Sequence, residues 1–248
     1  MAIKLLPPAD HFEAAPPTKM PLEYVDLIKI DLGRYHEGPQ SRAELAEQIR
    51  QAMTTQGFFV VVNHGFTQSE ITRQVDIGHH ILKNTPEDEK QRLKAPMSTE
   101  GSYHGFKPRQ HWRTAGEVRD QIENFNVYRD MSLREQPRCM EPFQPEMQDF
   151  IDRTHKGVLF KLLRLFAIAL KMEDEDTFVK LHDYNGRDET YIRYMQYYDN
   201  FTEEERKTTK GLWLAGHHDF TSLSLLFSQV SSSYLLCFQC PRYWSMLT

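Results

Sequence analysis

Phe58 to Val62 reads FFVVV, an unbroken apolar run bracketed by Gly57 and by Asn63-His64-Gly65. Five residues are too few for a core helix, and valines beside aromatics favour extended backbone, so the run predicts a strand. The flanking sequence supplies helices. Ser41 followed by Glu44 has the spacing of a capping box, and Leu45, Ile49, Ala52 and Met53 recur on one helical face before Gly57 takes the C′ position. Thr67 and Glu70 open a second helix with Ile71, Val75, Gly78 and Leu82 on one face. Thr85-Pro86-Glu87-Asp88 predicts a third, with Thr85 as N-cap and Pro86 at N1.

Before this segment, Val25 to Leu32 predicts a short strand broken by Gly33, Gly38 and Pro39. After it, Ala95 to about Arg138 reads as a loop-rich stretch. A long helix from about Pro145 to Lys171 follows, with Met147, Phe150, Ile151, Val158, Leu162, Leu165 and Ala169 as a packing stripe. Tyr191 to Tyr198 and Leu223 to Phe227 predict strands, separated by the charged segment Thr202 to Lys210. The order predicts an α+β chain, an N-terminal α/β cap leading into a β core.

Composition narrows the function. The 248 residues carry a formal charge of −5, and Lys and Arg are scattered, which argues against nucleic acid or an anionic membrane as partner. No stretch approaches the roughly 20 apolar residues of a membrane span. The Pro-rich tail from Met1 to Met20 lacks the apolar core of a signal peptide, so a cytoplasmic protein is expected. Cys139, Cys237 and Cys240 are too few to staple a secreted scaffold, and the Cys237-x-x-Cys240 pair has no second pair to complete a zinc site.

Gly216-His217-His218-Asp219-Phe220 carries the chemistry. In extended backbone residues i and i+2 point the same way, so His217 and Asp219 present an imidazole and a carboxylate on one face. With a second histidine they would make the 2-His-1-carboxylate triad of non-haem Fe(II) sites. Spacing alone is weak: with 11 His and 35 acidic residues, chance supplies one or two such triplets, and His11-Phe12-Glu13 is another.

Context strengthens it. Gly211 to Gln229 (GLWLAGHHDFTSLSLLFSQ) resembles the iron-binding strand of the isopenicillin N synthase-like Fe(II)/2-oxoglutarate-dependent dioxygenases. Gly57 to Gly65, Gly101 to Phe106 and Asp120 to Phe125 resemble landmarks of that family's N-terminal domain, in the same order. Leu181 to Tyr198 resembles the approach to the barrel in fungal members. The resemblance implies blocks at 1–20 (tail), 21–140 (dioxygenase N-terminal domain), 141–185 (packing helix and connection), 186–229 (start of a double-stranded β-helix, or jelly roll) and 230–248 (a tail unlike the family). It implies an oxidoreductase that uses Fe(II), 2-oxoglutarate and O2, with ascorbate as a reductant, on a small-molecule substrate. No protein partner is identifiable.

Residue by residue, the resemblance makes His217 and Asp219 iron ligands. Tyr198 is placed at the 2-oxoglutarate carboxylate with Gln196 beside it, and Tyr197 and Tyr194 are register alternatives. His64 falls in a structural turn, His218 points away from the ligand pair, His79 and His80 read as polar surface, and His104 and Arg109 are candidates to touch substrate. The pattern then breaks. Only 29 residues follow Asp219, none is a histidine, and Arg242 lacks the R-x-S context that holds 2-oxoglutarate in the family. The expectation is a C-terminally truncated member whose jelly roll is incomplete, with Val230-Ser231 as a candidate read-through of a splice donor. The rival readings are a non-catalytic isoform or pseudoenzyme, and an oxidase of the same fold that does not use 2-oxoglutarate.

Overall fold

A computed structural model describes residues 6–14, 16, 19, 21, 25–214, 217, 219 and 221–227, together with the backbone of 235–238. The chain divides into two compact units, each assembled from three separate stretches. One comprises Met1–Phe12, Arg73–Ile151 and Arg187–His217; the other comprises Glu13–Thr72, Asp152–Gly186 and His218–Thr248. The units interleave along the chain.

The second of these units is built on the FFVVV strand. β1 (Lys29–Asp31) runs parallel to β2 (Phe58–Val62), with Ile30 opposite Val61. Between them lies α1 (Pro39–Thr55), which starts on Gly38 with Pro39 in its first turn and no side-chain cap. The expected Ser41–Glu44 capping box therefore does not form. Ser41 Oγ donates to the Arg34 carbonyl and Glu44 accepts from the Arg34 guanidinium, because a 3-10 turn over Leu32–His36 places Arg34 beside the helix start. Gly57 takes the C′ position with φ +73° as expected, and the Asn63–His64–Gly65 turn uses positive φ at Asn63 and Gly65. His64 is buried and its Nδ1 accepts from the Phe66 amide, the structural role anticipated for it.

The expected long helix is present with an interruption: α4 (Gln144–Asp152), a π-helical turn over Arg153–Leu159, and α5 (Phe160–Ala169). Leu162, Leu165 and Phe166 of α5 are buried with Leu45, Ile49 and Ala52 of α1, and Phe59 meets Phe166 at 6.1 Å between ring centroids. Burying a side chain of this size contributes about 1.5–3 kcal/mol. The sheet order is β1-β2-β9-β8, with β8 at Ser224–Phe227 and β9 at Leu235–Phe238, antiparallel to both β2 and β8. The segment after Gln229, read as unlike the family, thus contributes a strand between β2 and β8.

α2 (Gln68–Asn84), whose residues from Arg73 onward belong to the other unit, buries Ile71, Gly78 and Leu82 of the expected face, with Val75 only partly buried and Gln74, Ile77 and Ile81 buried beside them. The Thr67–Glu70 capping box that opens this helix forms as read, through Glu70 N to Thr67 Oγ1 (3.2 Å) and Thr67 N to Glu70 Oε2 (2.7 Å). The next helix, α3 (Glu87–Arg92), starts on Pro86. Thr85 does not cap it, since its hydroxyl donates back to the Ile81 carbonyl.

The stretch expected to be loop-rich holds β3 (Gly105–Lys107), the short hairpin β4 (Arg113–Ala115) and β5 (Val118–Arg119), and β6 (Ile122–Tyr128). β6 is the middle strand of an antiparallel sheet, β3-β6-β7, completed by β7 (Tyr191–Tyr197). Phe106 and Phe125 stack at 4.4 Å in its core, with Ile77, Ile81, Val127, Met147 and Tyr194 around them. The Pro-rich N-terminal tail docks on α2: Asp10 accepts from Asn84 and pairs with His80, and Asp76 accepts from the Phe12 amide. Arg73 donates to the Pro7 carbonyl. His79 and His80 are therefore engaged groups rather than free polar surface. The charged segment after β7 folds into a further helix, α6 (Thr177–Leu181) having preceded that strand: α7 (Glu203–Thr209) is capped by Thr202 and Glu205. Among the described residues no helix is long and apolar enough to cross a membrane.

Candidate metal and cosubstrate site

β7 sorts the candidate residues by alternation. Ile192, Tyr194 and Gln196 point to the face packed against α2, while Tyr191, Arg193, Met195 and Tyr197 occupy the opposite face. Tyr194 is buried against Gly78 and its hydroxyl donates to Gln74 Oε1 at 2.7 Å; burial pushes its phenol far up. It is a core residue. Gln196 Oε1 lies 3.2 Å from His79 Nδ1, and since the amide oxygen can only accept, the imidazole donates.

Tyr198, one residue past β7, turns to the α2 side. Its amide donates to the Gln121 carbonyl and its hydroxyl donates to Glu123 Oε2 at 3.0 Å. Glu123 Oε1 in turn accepts from Lys90 Nζ at 2.7 Å, and Lys90 also donates to the Leu82 carbonyl at 2.5 Å. Arg109 stacks on the Tyr198 ring at 4.7 Å and Trp213 Nε1 donates to the Tyr198 carbonyl. Burial first, then the Glu123 charge, pushes the Tyr198 phenol up, so its single proton stays on the bond to Glu123. Tyr197, on the other face, is half-exposed and its hydroxyl has no hydrogen-bond partner among the described residues.

The iron-ligand candidates lie outside regular structure, since β8 begins only at Ser224. His217 is exposed. Asp219 is half-buried and accepts from Ser224 Oγ at 2.7 Å, with Thr221 Oγ1 2.8 Å from the same hydroxyl. Gly216, His218 and Phe220 lie outside the described residues, as does Cys240, so the expectations for His218 and for the C-x-x-C pair have no structural counterpart here. An imidazole and a carboxylate are the donor types that non-haem Fe(II) takes. Among the described residues, however, no group of three His, Cys, Asp or Glu stands together to hold a metal ion. Among the described residues the donor set is therefore partial.

His104 is buried, with no hydrogen-bond partner for its ring nitrogens among the described residues, and burial holds its pKa at about 3. Arg109 spends its guanidinium on the Tyr198 ring. Sequence reasoning missed Glu123 and Lys90 as the anchors of Tyr198 and missed Arg193. Alternation within Tyr191–Tyr198 was the available signal, because Tyr194, Gln196 and Tyr198 share a parity that Arg193 and Tyr197 do not.

Residues 27–147 match the family model described as the N-terminal domain of the non-haem dioxygenase in morphine synthesis. A curated relative, the 2-oxoglutarate-dependent dioxygenase ecdK of Aspergillus rugulosus, is 22% identical over an alignment covering 82% of this chain and 65% of that protein. This chain thus spans about 65% of the length of the curated relative it matches. Among solved structures, a full-length Neurospora crassa protein in complex with alpha-KG superposes with a TM-score of 0.64 at 17% identity, covering 86% of this chain and 72% of that one. A 2OG-Fe(II) oxygenase family protein from Caulobacter crescentus gives 0.61 at 16% identity, covering 87% and 74%. These likenesses define the fold as the mixed α and β architecture of the 2OG oxygenases. Beside them stand the dioxygenase N-terminal domain match over residues 27–147 and the likeness to a 2-oxoglutarate-dependent dioxygenase.

Proposed function

We propose that the protein is a non-haem Fe(II)/2-oxoglutarate-dependent dioxygenase that oxidises a small organic substrate with O2, with His217 and Asp219 as two of the iron ligands. The carrying observation is the order of parts: a dioxygenase N-terminal domain over 27–147, then β7, then an H-x-D pair whose carboxylate is oriented by Ser224. Bound Fe(II) with 2-oxoglutarate supplies the oxidising chemistry of hydroxylation, desaturation or ring formation, and ascorbate serves as an auxiliary reductant. The residues of this chain bind and orient. Ser224 fixes the Asp219 carboxylate by a charge-assisted hydrogen bond, as supporting residues do for metal ligands.

For the tyrosine that meets the cosubstrate carboxylate we assign Tyr197 in place of Tyr198. A carboxylate needs a donor, and Tyr198 gives its proton to Glu123 while Gln196 is engaged with His79. Tyr197 keeps its donor on the face opposite α2.

Anaerobic titration of the full chain with Fe(II) and 2-oxoglutarate, read by the visible charge-transfer band of the chelate, tests the reading. The band is expected with the unaltered chain and lost in His217→Ala and Asp219→Ala. Tyr197→Phe is expected to weaken 2-oxoglutarate about tenfold, the value of one lost hydrogen bond to a charged group, and Tyr198→Phe is expected to leave it unchanged. No band, or a band indifferent to His217 and Asp219, overturns the dioxygenase reading and leaves a non-catalytic protein of the same fold.

A further inference from the structure

The face of the β3-β6-β7 sheet that carries Tyr197 also carries Lys107, Asn124, Asn126, Tyr191, Arg193 and Met195. We propose that Arg193, with Asn124 as a second hydrogen-bonding element, is the carboxylate-reading residue of this protein's small-molecule site. The ligand class is an organic carboxylate with an apolar body.

Arg193 is held without being neutralised. Its Nε donates to Asn126 Oδ1 and one terminal amino group donates to the Tyr191 hydroxyl, both at 2.9 Å, and its guanidinium lies 5.1 Å from the centre of the Tyr191 ring. Both acceptors are neutral. Among the described residues no carboxylate lies within ion-pair distance of it. A guanidinium has five N–H donors in a fixed fork, and two are used here, so three remain. A half-buried arginine whose orientation is fixed and whose charge is unpaired is prepared for an external anion.

Asn124 is the independent observation. It is 1% exposed, sits opposite Met195 on β7 and Lys107 on β3, and neither its Nδ2 nor its Oδ1 has a hydrogen-bond partner among the described residues. Buried amides are almost always paired, so an orphan on this face marks a polar group that a ligand or its water would satisfy. Lys107 adds no free charge, because its ammonium is paired with Asp120, donates to the Ile122 carbonyl and faces the Trp112 ring. One unpaired cation suits a monoanion better than a phosphate dianion. Met195 and Tyr197, both partly exposed beside it, offer apolar surface for the rest of the molecule.

The assignment rests on the dioxygenase reading for what the bound molecule is for, and not for whether it binds. The test uses benzoate and its neutral isostere benzamide on the metal-free full chain, by calorimetry or ligand-observed NMR. Benzoate is expected to bind at least about tenfold more tightly than benzamide, the value of one charge-assisted hydrogen bond. Arg193→Gln should weaken benzoate about 10- to 100-fold and leave benzamide unchanged. Asn126→Asp puts a carboxylate on Arg193 without a change of size and should have the same selective effect, which keeps the test open if Arg193→Gln does not fold.

Equal binding of the two probes, or a folded variant that leaves benzoate binding unchanged, overturns the proposal. Inorganic phosphate displacing benzoate more effectively than acetate does would overturn the carboxylate assignment. Iron and 2-oxoglutarate binding measured on the same preparation separates the two ideas. Intact iron binding without benzoate discrimination sinks only this inference, and the converse sinks only the dioxygenase reading.

Discussion

Replacing Gly78 by alanine puts a methyl group where the structure has the ring of Tyr194. The added Cβ would lie 2.5 Å from Tyr194 Cδ1, 3.0 Å from Cγ and 3.1 Å from Cβ. Carbon atoms in contact prefer about 3.5–4.0 Å. The ring has little room to retreat, because it is buried in the sheet core and its hydroxyl is tied to Gln74 on the same helix. On an open helix surface the change from glycine to alanine would stabilise by about 1 kcal/mol. Overpacking costs about 1–3 kcal/mol, and breaking the buried Tyr194–Gln74 bond adds about 1 kcal/mol. The balance is a net loss of about 2 kcal/mol, or a fall in melting temperature of roughly 4–8 °C for a chain of this size. Gly157 is the control, since a Cβ there meets no atom within 4 Å. Circular dichroism melting should show Gly78→Ala below the unaltered protein and Gly157→Ala at or above it. A Gly78→Ala protein as stable as the unaltered one would refute the packing of β7 on α2.

Lys107→Met should destabilise by about 3–5 kcal/mol, because it leaves the Asp120 carboxylate buried and unpaired, and pairing it with Asp120→Leu should recover part of the loss in urea unfolding. Glu70, held at about 2 chiefly by its hydrogen bond from Arg153, gives stability that is complete above the ordinary carboxylate range near 4.5 and is lost as pH falls from there towards 2. The pair is partly exposed, so the difference in unfolding free energy between the unaltered protein and Glu70→Gln should be only about 1 kcal/mol at about pH 6 and should shrink by about pH 3. Thr202→Ala removes the capping box of α7 and should cost about 1 kcal/mol, read as lower amide-exchange protection over Glu203–Thr209.

Local chemistry decided the parts that the sequence made legible. FFVVV is a strand of the residues expected, Thr67–Glu70 closes its capping box, and Gly57 and Gly65 take the positive φ their turns require, because each depends on neighbours within a few positions. β6 was not legible in the same way. IENFNVY mixes Glu123, Asn124 and Asn126 with apolar residues and shows no surface-like alternation. It is buried nearly throughout because β3 and β7 cover it on either side, and Lys90 and Arg193 bring partners to Glu123 and Asn126.

The same division runs through the candidate site. The sequence alone determined that an imidazole and a carboxylate stand two apart at His217 and Asp219, and that tyrosines crowd the strand before them. Only the tertiary structure decided that Tyr198 gives its proton to Glu123, that Tyr197 and Arg193 share the other face, and that Arg193 has no counter-charge among the described residues. The physical reason is that a side chain's direction follows from the parity of its strand. Its partners come from 75 positions away for Tyr198 and 67 positions away for Arg193, a pairing that no local pattern encodes.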